Sequence, residues 1–191
     1  ATQHIDEQGK IVQDNVFGTL EQDAWRRDFT INALYYNIRD FSIIDYTGGI
    51  ADLQAGKIRL IGDVETRYRE DPVRMLRAIR FVGKLNLKLD ENTAYHLPRL
   101  AKLLVNIPAA RLFDECLKLY LTGNAVPTHN LLVQYGIFDL LFPKSGNILK
   151  MEPEGLAVKL LNRALENTDK RIEESKPVTP AFLFAAILWG P

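Results

Sequence analysis

The sequence predicts an α+β protein that is mostly α, with a small β-containing portion followed by an all-helical one. Three observations lead there. The segments rich in aromatic and β-branched residues fall before residue 63. From residue 63 onward apolar residues recur with the helical period. The later segments also carry helix punctuation, such as Pro108 at the start and Gly123 at the end of 108–123.

Residues 1–16 are polar and aperiodic and read as a loop or a frayed strand pair, with Gly9 as the turn. TLEQDAWRR, 19–27, predicts a short helix capped by Thr19, with Gln22 completing a capping box. FTINALYYNI, 29–38, reads as a strand. SIIDYTGGIADL starts like one and turns at Gly48-Gly49, and KIRLIG, 57–62, is a third short strand. Arg67 to Lys84 is helical, with Asp71-Pro72 as a start signal: an acceptor side chain, then Pro at the first helical position. NTAYHLPRLAKLL is helical with a break at Pro98. The helix over 108–123 is followed by VPTHNLLVQYGIFDLLFP, helical to Gly136, and by KSGNILKMEPEG as a loop. Residues 155–174 form an amphipathic helix, and TPAFLFAAILW begins another, with Thr179 as cap and Pro180 at N1. No repeat or low-complexity tract is evident.

Of the 191 residues 47% are apolar and 25% charged, enough apolar content for a core. The formal net charge is zero and names no partner, but residues 57–88 hold nine Lys or Arg against four Asp or Glu, a candidate anion-binding face. Cys116 is the only cysteine, which excludes an internal disulfide and a cysteine metal cage; in its apolar setting it reads as a core residue of a protein in a reducing compartment. The longest apolar run, PAFLFAAILWGP, is shorter than the ~20 residues a membrane span needs. The start resembles no signal peptide. His4, His96 and His129 are scattered and read as structural or exposed, and Trp25 and Trp189 as packing residues. Tyr35 and Tyr36 alternate across a strand, so at most one faces a base, and core packing is the preferred reading. The polar start without Met and the unpartnered apolar end suggest a fragment of a longer protein.

The stretch RYREDPVRMLRAIRF, 67–81, carries the chemistry. At about 100° per residue, Asp71, Arg74 and Arg77 share an arc of roughly 120°. Met75, Ile79 and Val82 take the neighbouring arc, where they can pack on a core. A carboxylate accepts hydrogen bonds and a guanidinium only donates them. Adenine and cytosine both offer an amino donor beside a ring acceptor, so Asp71 with Arg74 complements either. Guanine and uracil present the reverse order and would leave both side chains mispaired, at about 1–3 kcal/mol per group. Arg77 and Arg80 remain for phosphates. The plainer reading is that Asp71 caps the helix and pairs locally with Arg74; spacing leaves both open. WRRDFTINAL, 25–34, sets two arginines and an aspartate at one corner. Such a corner can hold a nucleoside triphosphate, a ribose or a metal, or it can be a structural ion-pair corner.

Four strings in this order, RRDFTINA (26–33), DYTGGIADL (45–53), EDPVRMLRAIRF (70–81) and the helix around Arg111 and Glu115, resemble the class II nucleotidyltransferases, which include bacterial poly(A) polymerases and CCA-adding enzymes. The resemblance covers most of residues 15–145. Within the family DNVFGTLEQDAWRRDFTINALYYNI, LIGDVETRYREDPVRMLRAIRF and IPAARLFDECLKL look closest to the poly(A) polymerases. It implies the C-terminal part of a nucleotidyltransferase head over 1–62, a helical neck with a nucleotide-reading helix over 63–123, and the start of an RNA-binding body over 124–191. It implies that Arg27 binds nucleotide, that Asp28 supports the catalytic carboxylates, and that Asp71 and Arg74 read the base while Arg77 and Arg80 complete the pocket. Tyr46 to Asp52 would be the turn linking head to neck.

The implied activity is template-independent transfer of AMP from ATP to an RNA 3′ end, with Mg²⁺ as cofactor, in a protein that works as a monomer in the cytoplasm and away from membranes. CCA addition to tRNA is the alternative within the family, because adenine and cytosine share a hydrogen-bonding edge. A non-catalytic module binding RNA or nucleotide is the alternative of another class. The family's D-x-D strand for two Mg²⁺ ions and its G-G-x-x-R-D string do not occur in the sequence. They are expected upstream, packed on FTINALYYNI, so this chain alone is expected to be inactive.

Overall fold

Helical structure begins where the chain first offers a capping box. In the computed structural model, α1 (Leu20–Arg26) starts at Thr19, whose hydroxyl accepts from the Gln22 amide while the Gln22 side chain accepts from the Thr19 amide. The structure describes residues 18–189, together with the backbone of two short strands, β1 (His4–Ile5) and β2 (Ile11–Gln13). These two pair antiparallel, as the strand-pair reading expects; the turn at Gly9 lies outside the described residues.

The strand expected over 29–38 is much shorter. Only β3 (Leu34–Tyr36) is extended, paired antiparallel with β4 (Ile43–Asp45) in the register Tyr35↔Ile44. Residues Thr30–Asn32 form a 3₁₀ turn. Polar side chains compete with the ladder there: the Thr30 hydroxyl donates to Asp52 (2.6 Å), and the Asn32 amide donates to Asp28 (3.1 Å). The turn leans on α2 (Gly49–Gln54), where a Cβ on Gly49 would sit 2.3 Å from the Thr30 carbonyl oxygen. The Asp45 carboxylate fastens the start of α2 by accepting from the amides of Thr47, Gly48, Gly49 and Ile50. Burial pushes its pKa up, but the four amides outweigh that and hold it below the usual range.

The strand β5 (Lys57–Ile58) pairs parallel with β6 (Lys88–Leu89). Between them lie two helices, α3 (Val64–Glu70) and α4 (Val73–Leu85), where the periodicity predicts one. Pro72, which cannot donate into a preceding turn, divides them. The break expected at Pro98 is absent: α5 (Glu91–Leu100) runs through it into a 3₁₀ segment, Ala101–Asn106. Leu97, Leu100, Ala101 and Leu104 are all buried, and that packing holds the helical phase despite the missing hydrogen bond. Then come α6 (Ala109–Tyr120), α7 (Ala125–Gln134), α8 (Ile137–Leu141), α9 (Pro143–Met151), α10 (Leu156–Glu173) and α11 (Pro180–Ile187). The loop expected from Lys144 is mostly the helix α9. Its Gly146 fits against Asp139, where a Cβ would come within 2.3 Å of a carboxylate oxygen, so packing overrides weak propensity.

One apolar core runs from Phe29 through Tyr68, Leu76, Ile79 and Leu119 to Leu183 and Ile187. Met75 and Ile79 are fully buried on α4, on the arc expected for them. Cys116 is buried too, and burial pushes its thiol up to about 11. The tryptophans depart from expectation: Trp25 is 52% exposed and Trp189 64%. Both lie near the ends of short helices. No described helix is long and apolar enough to cross a membrane.

Two predictions follow from the core. A Cβ on Gly83 of α4 would lie 2.5 Å from the Thr128 hydroxyl of α7. Gly83→Ala is expected to destabilise the protein by about 1–3 kcal/mol, read from denaturant midpoints. His129, buried beside Tyr120, has its pKa pushed down by burial from 6.5 to about 4. The unfolded chain therefore binds a proton that the folded one refuses. The contribution is complete above about pH 6.5 and is lost as pH falls towards 4, by up to about 3 kcal/mol. His129→Gln is expected to flatten that part of a stability-versus-pH curve.

Candidate functional site

The end of α1, the 3₁₀ turn and the facing sides of α4 and α6 converge on an open cleft of about 510 Å³. Five arginines line it (26, 27, 74, 77 and 111) against three carboxylates, Asp28, Asp71 and Glu115. The excess of positive charge suits an anionic ligand.

At the α1 end, Arg27 is held from three sides. Its Nε and Nη2 donate to Asp23 Oδ2 (3.1 and 3.0 Å), and its Nη1 donates to the Asn32 carbonyl (2.8 Å). Its guanidinium lies over the Tyr35 ring, 5.0 Å from the centroid, and the Tyr35 hydroxyl donates to the same Asp23 oxygen (2.7 Å). That hydroxyl, with Arg26 and Arg27, holds the Asp23 carboxyl far below the usual range. Asp23 in turn raises the pKa of Arg27. Tyr35 thus faces inward and shapes Arg27, while Tyr36 is exposed.

Asp28 is the most enclosed of the predicted residues, its side chain 11% exposed. Its Oδ1 accepts from the Phe29 amide (2.9 Å) and the Asn32 side chain (3.1 Å), and its Oδ2 accepts from Arg77 Nε (2.6 Å) and Nη2. Arg67 forms a second tie across the site. Its Nη2 donates to the carbonyls of Arg26 (3.0 Å) and Arg27 (2.5 Å), which pins the end of α1 to α3.

Asp71 and Arg74 both line the cleft but do not pair with each other. Asp71 Oδ2 accepts from Arg111 Nη2 (2.8 Å), and its Oδ1 makes a long contact with the Val73 amide (3.3 Å). Arg74 Nη1 donates to the Arg67 carbonyl (2.7 Å) and to Glu70 (3.0 Å). Of the plainer sequence reading, the cap-type contact to the Val73 amide forms and the local pair with Arg74 does not. The helix starts one residue later than Asp71-Pro72 suggests, and the Asp71 carboxylate reaches α6 instead. Each side chain keeps unused capacity towards the cleft: Asp71 has spare lone pairs, and Arg74 has Nε and Nη2 without partners among the described residues.

Arg80 stands apart. It is not among the cleft residues, and its guanidinium lies 5.4 Å from the ring centroid of its neighbour Phe81. At about 100° per residue it has turned away from the arc of Asp71, Arg74 and Arg77. Conversely, the cleft includes residues given no individual role from the sequence: Arg26, Asn32, Arg111 and Glu115. Arg111 and Glu115 stand four apart, hence on one face of α6, which was the available signal. Glu115 is buried and accepts from Lys118 (2.8 Å). Among the described residues no three His, Cys, Asp or Glu side chains gather as a metal site. Asp28, the nearest to a ligand by chemistry, has both oxygens taken by donors. The described residues do not by themselves fit a metal ion.

The model of the family described as "Poly A polymerase head domain" matches residues 2–59, and that described as "Probable RNA and SrmB- binding site of polymerase A" matches residues 86–147. "Poly(A) polymerase I" of Salmonella typhi is 52% identical over 183 residues, 96% of this chain and 39% of that protein. A "CCA-adding enzyme" of Latilactobacillus sakei is 46% identical over 101 residues, 53% of this chain and 25% of that protein. Among solved structures, a CCA-adding enzyme in complex with CTP superposes with a TM-score of 0.70 at 28% identity, over 90% of this chain and 40% of that one. The chain thus spans about two fifths of the length of the poly(A) polymerase relatives it matches.

Removing one partner of the Asp28–Arg77 pair leaves a mostly buried carboxylate without its cation. Arg77→Ala is expected to cost about 1–3 kcal/mol, moderated because the arginine is itself partly solvated. Arg77→Lys, which keeps the charge but loses the fork, should fall between; chemical denaturation ranks the three proteins.

Proposed function

The chain belongs to the family of poly(A) polymerases and CCA-adding enzymes, and from that premise we propose that the protein is a template-independent RNA adenylyltransferase. It adds AMP from ATP to RNA 3′ ends and releases pyrophosphate. The observation that carries this choice within the family is extent: similarity to the poly(A) polymerase of Salmonella typhi runs over 96% of the chain, and that to the Latilactobacillus sakei CCA-adding enzyme over 53%.

In this reading residues 1–62 complete a nucleotidyltransferase head, 63–123 form the neck, and 124–191 begin the RNA-binding body. The base enters between α4 and α6. Asp71 accepts from the adenine N6 amino group, and an unused Arg74 nitrogen donates to N1. Guanine would set its own ring N–H against Arg74 and its carbonyl against Asp71, two mispaired groups at about 1–3 kcal/mol each. Arg111 holds the Asp71 carboxylate in place for that contact. Arg27 and Arg77 face the phosphates, each with its fork oriented by a carboxylate, Asp23 and Asp28 respectively. Asp28 is then a positioning residue that orients Arg77 and the Asn32 side chain, and Arg80 takes no part in the pocket. The protein works in the cytoplasm as a monomer. Mg²⁺ is assigned to it on the family resemblance alone; the described residues hold no site for the ion, and no step here passes through it.

CCA addition is the second reading, favoured by one observation: a solved CCA-adding enzyme in complex with CTP superposes on 90% of the chain with a TM-score of 0.70. A non-catalytic RNA- or nucleotide-binding module remains the reading of another class.

Titration with ATP, CTP, GTP and UTP tests the base-reading role. ATP is expected to bind at least tenfold more tightly than GTP or UTP. Asp71→Ala and Arg74→Ala should each weaken ATP about five- to hundredfold, at about 1–3 kcal/mol per lost partner. Equal binding of all four nucleotides would remove the base-reading role. ATP binding without AMP incorporation by the full-length protein would favour the binding module.

A further inference from the structure

A second cavity, about 420 Å³, lies between α7, the end of α9 and α10, and nothing in the proposed reaction uses it. At its floor is His129, 6% exposed. The Tyr120 hydroxyl occupies the His129 Nδ1, 3.1 Å away, and Nε2 has no partner among the described residues. Burial holds the imidazole pKa near 4, so the ring is neutral at pH 7. The walls are apolar, from Val133, Leu149 and Leu161 among others. Three carboxamides complete the lining: Asn130 and Gln134 from α7, and Asn162 from α10.

No Asp, Glu, Lys or Arg is among the lining residues. A phosphate or carboxylate entering it would lose water and gain no countercharge. A neutral planar ring would gain apolar walls and edge contacts. A carboxamide presents a donor beside an acceptor, the pattern that pairs with the N6 and N7 edge of adenine. Unstacked bases of single-stranded RNA are read in part by hydrogen bonds to their edges. His129, Asn130, Val133 and Gln134 also fall within residues 86–147, the segment matched by the RNA-binding description.

We propose that this cavity docks an unstacked adenine base of single-stranded RNA, as a site separate from the arginine cleft. The choice of adenine rests on the adenylyltransferase reading, since such an enzyme has its own tail at hand. The carboxamides grip the base edge, and His129 supplies a neutral polar floor.

The test uses the full-length protein and labelled oligo(A) and oligo(U) of about 15 nucleotides, with affinity read by fluorescence anisotropy. Gln134 and Asn162 are exposed at the rim, so Gln134→Leu and Asn162→Leu remove the polar edge without opening the core. Each should weaken oligo(A) about ten- to hundredfold, leave oligo(U) unchanged, and leave the melting temperature where it was. Wild-type affinity for oligo(A) in both variants overturns the base site and leaves the cavity to a protein segment. Equal losses for the two oligonucleotides overturn the adenine assignment. AMP addition by the wild-type protein to a short primer is measured in parallel. Failure there sinks the adenylyltransferase reading, whereas the oligonucleotide comparison judges the cavity on its own terms.

Discussion

The contact between Asp28 and Arg77 joins residues forty-nine positions apart, and the cleft depends on it. Asp28 sits at the corner where α1 ends and the 3₁₀ turn begins; Arg77 sits in the middle of α4. A carboxylate this enclosed must be paired or pay heavily in desolvation. Pairing it with Arg77 therefore positions α4 against the N-terminal β-containing part. Arg67 repeats the device one helix earlier through the carbonyls of Arg26 and Arg27. Between the two ties, the arginines of the first motif and those of the second face a common space.

That arrangement explains how five guanidinium groups can share one cleft. Crowded arginines repel, and each would be mobile if left alone. Here each is anchored: Arg26 and Arg27 by Asp23, Arg74 by Glu70 and a carbonyl, Arg77 by Asp28, Arg111 by Asp71. The anchoring carboxylates reduce the net charge but orient the forks, so an incoming anion meets donors already in place. Asp71 is the least committed of these carboxylates, since it accepts one strong bond from a half-exposed arginine and one long one from an amide.

The helical architecture could be read from the sequence because it rests on local rules. Thr19 with Gln22, and Thr179 with Pro180, cap helices as their chemistry dictates. The readings that failed involve tertiary contacts. Residues 29–33 look like strand by composition but bend because Thr30 and Asn32 find partners at Asp52 and Asp28. Pro98 fails to break its helix because buried leucines on either side hold it. The site was legible in the same proportion. Arg27, Asp28, Asp71, Arg74 and Arg77 meet because two of them adjoin at a helix end and three share a helical arc. Arg80, read from the sequence as a phosphate ligand, lies off that arc and does not line the cleft. Arg111 could not be paired with Asp71 from spacing, since forty residues and a change of direction separate them.

Arg111 also bears on what distinguishes the base edges. A lone Asp71, in the link between α3 and α4, could rotate towards Arg74 and close the local ion pair, which would hide both groups from a ligand. The bond from Arg111 opposes that rotation, and Glu70 and the Arg67 carbonyl hold Arg74 from the other side. An acceptor and a donor are thus kept from closing on each other. Discrimination between adenine and guanine in such a pocket comes less from attraction than from the cost of the wrong edge, where two like partners face each other without water. That cost is felt only if neither side chain can turn away, so under the proposed base-reading role any selectivity of this pair depends on Arg111 of α6 as much as on Asp71 and Arg74.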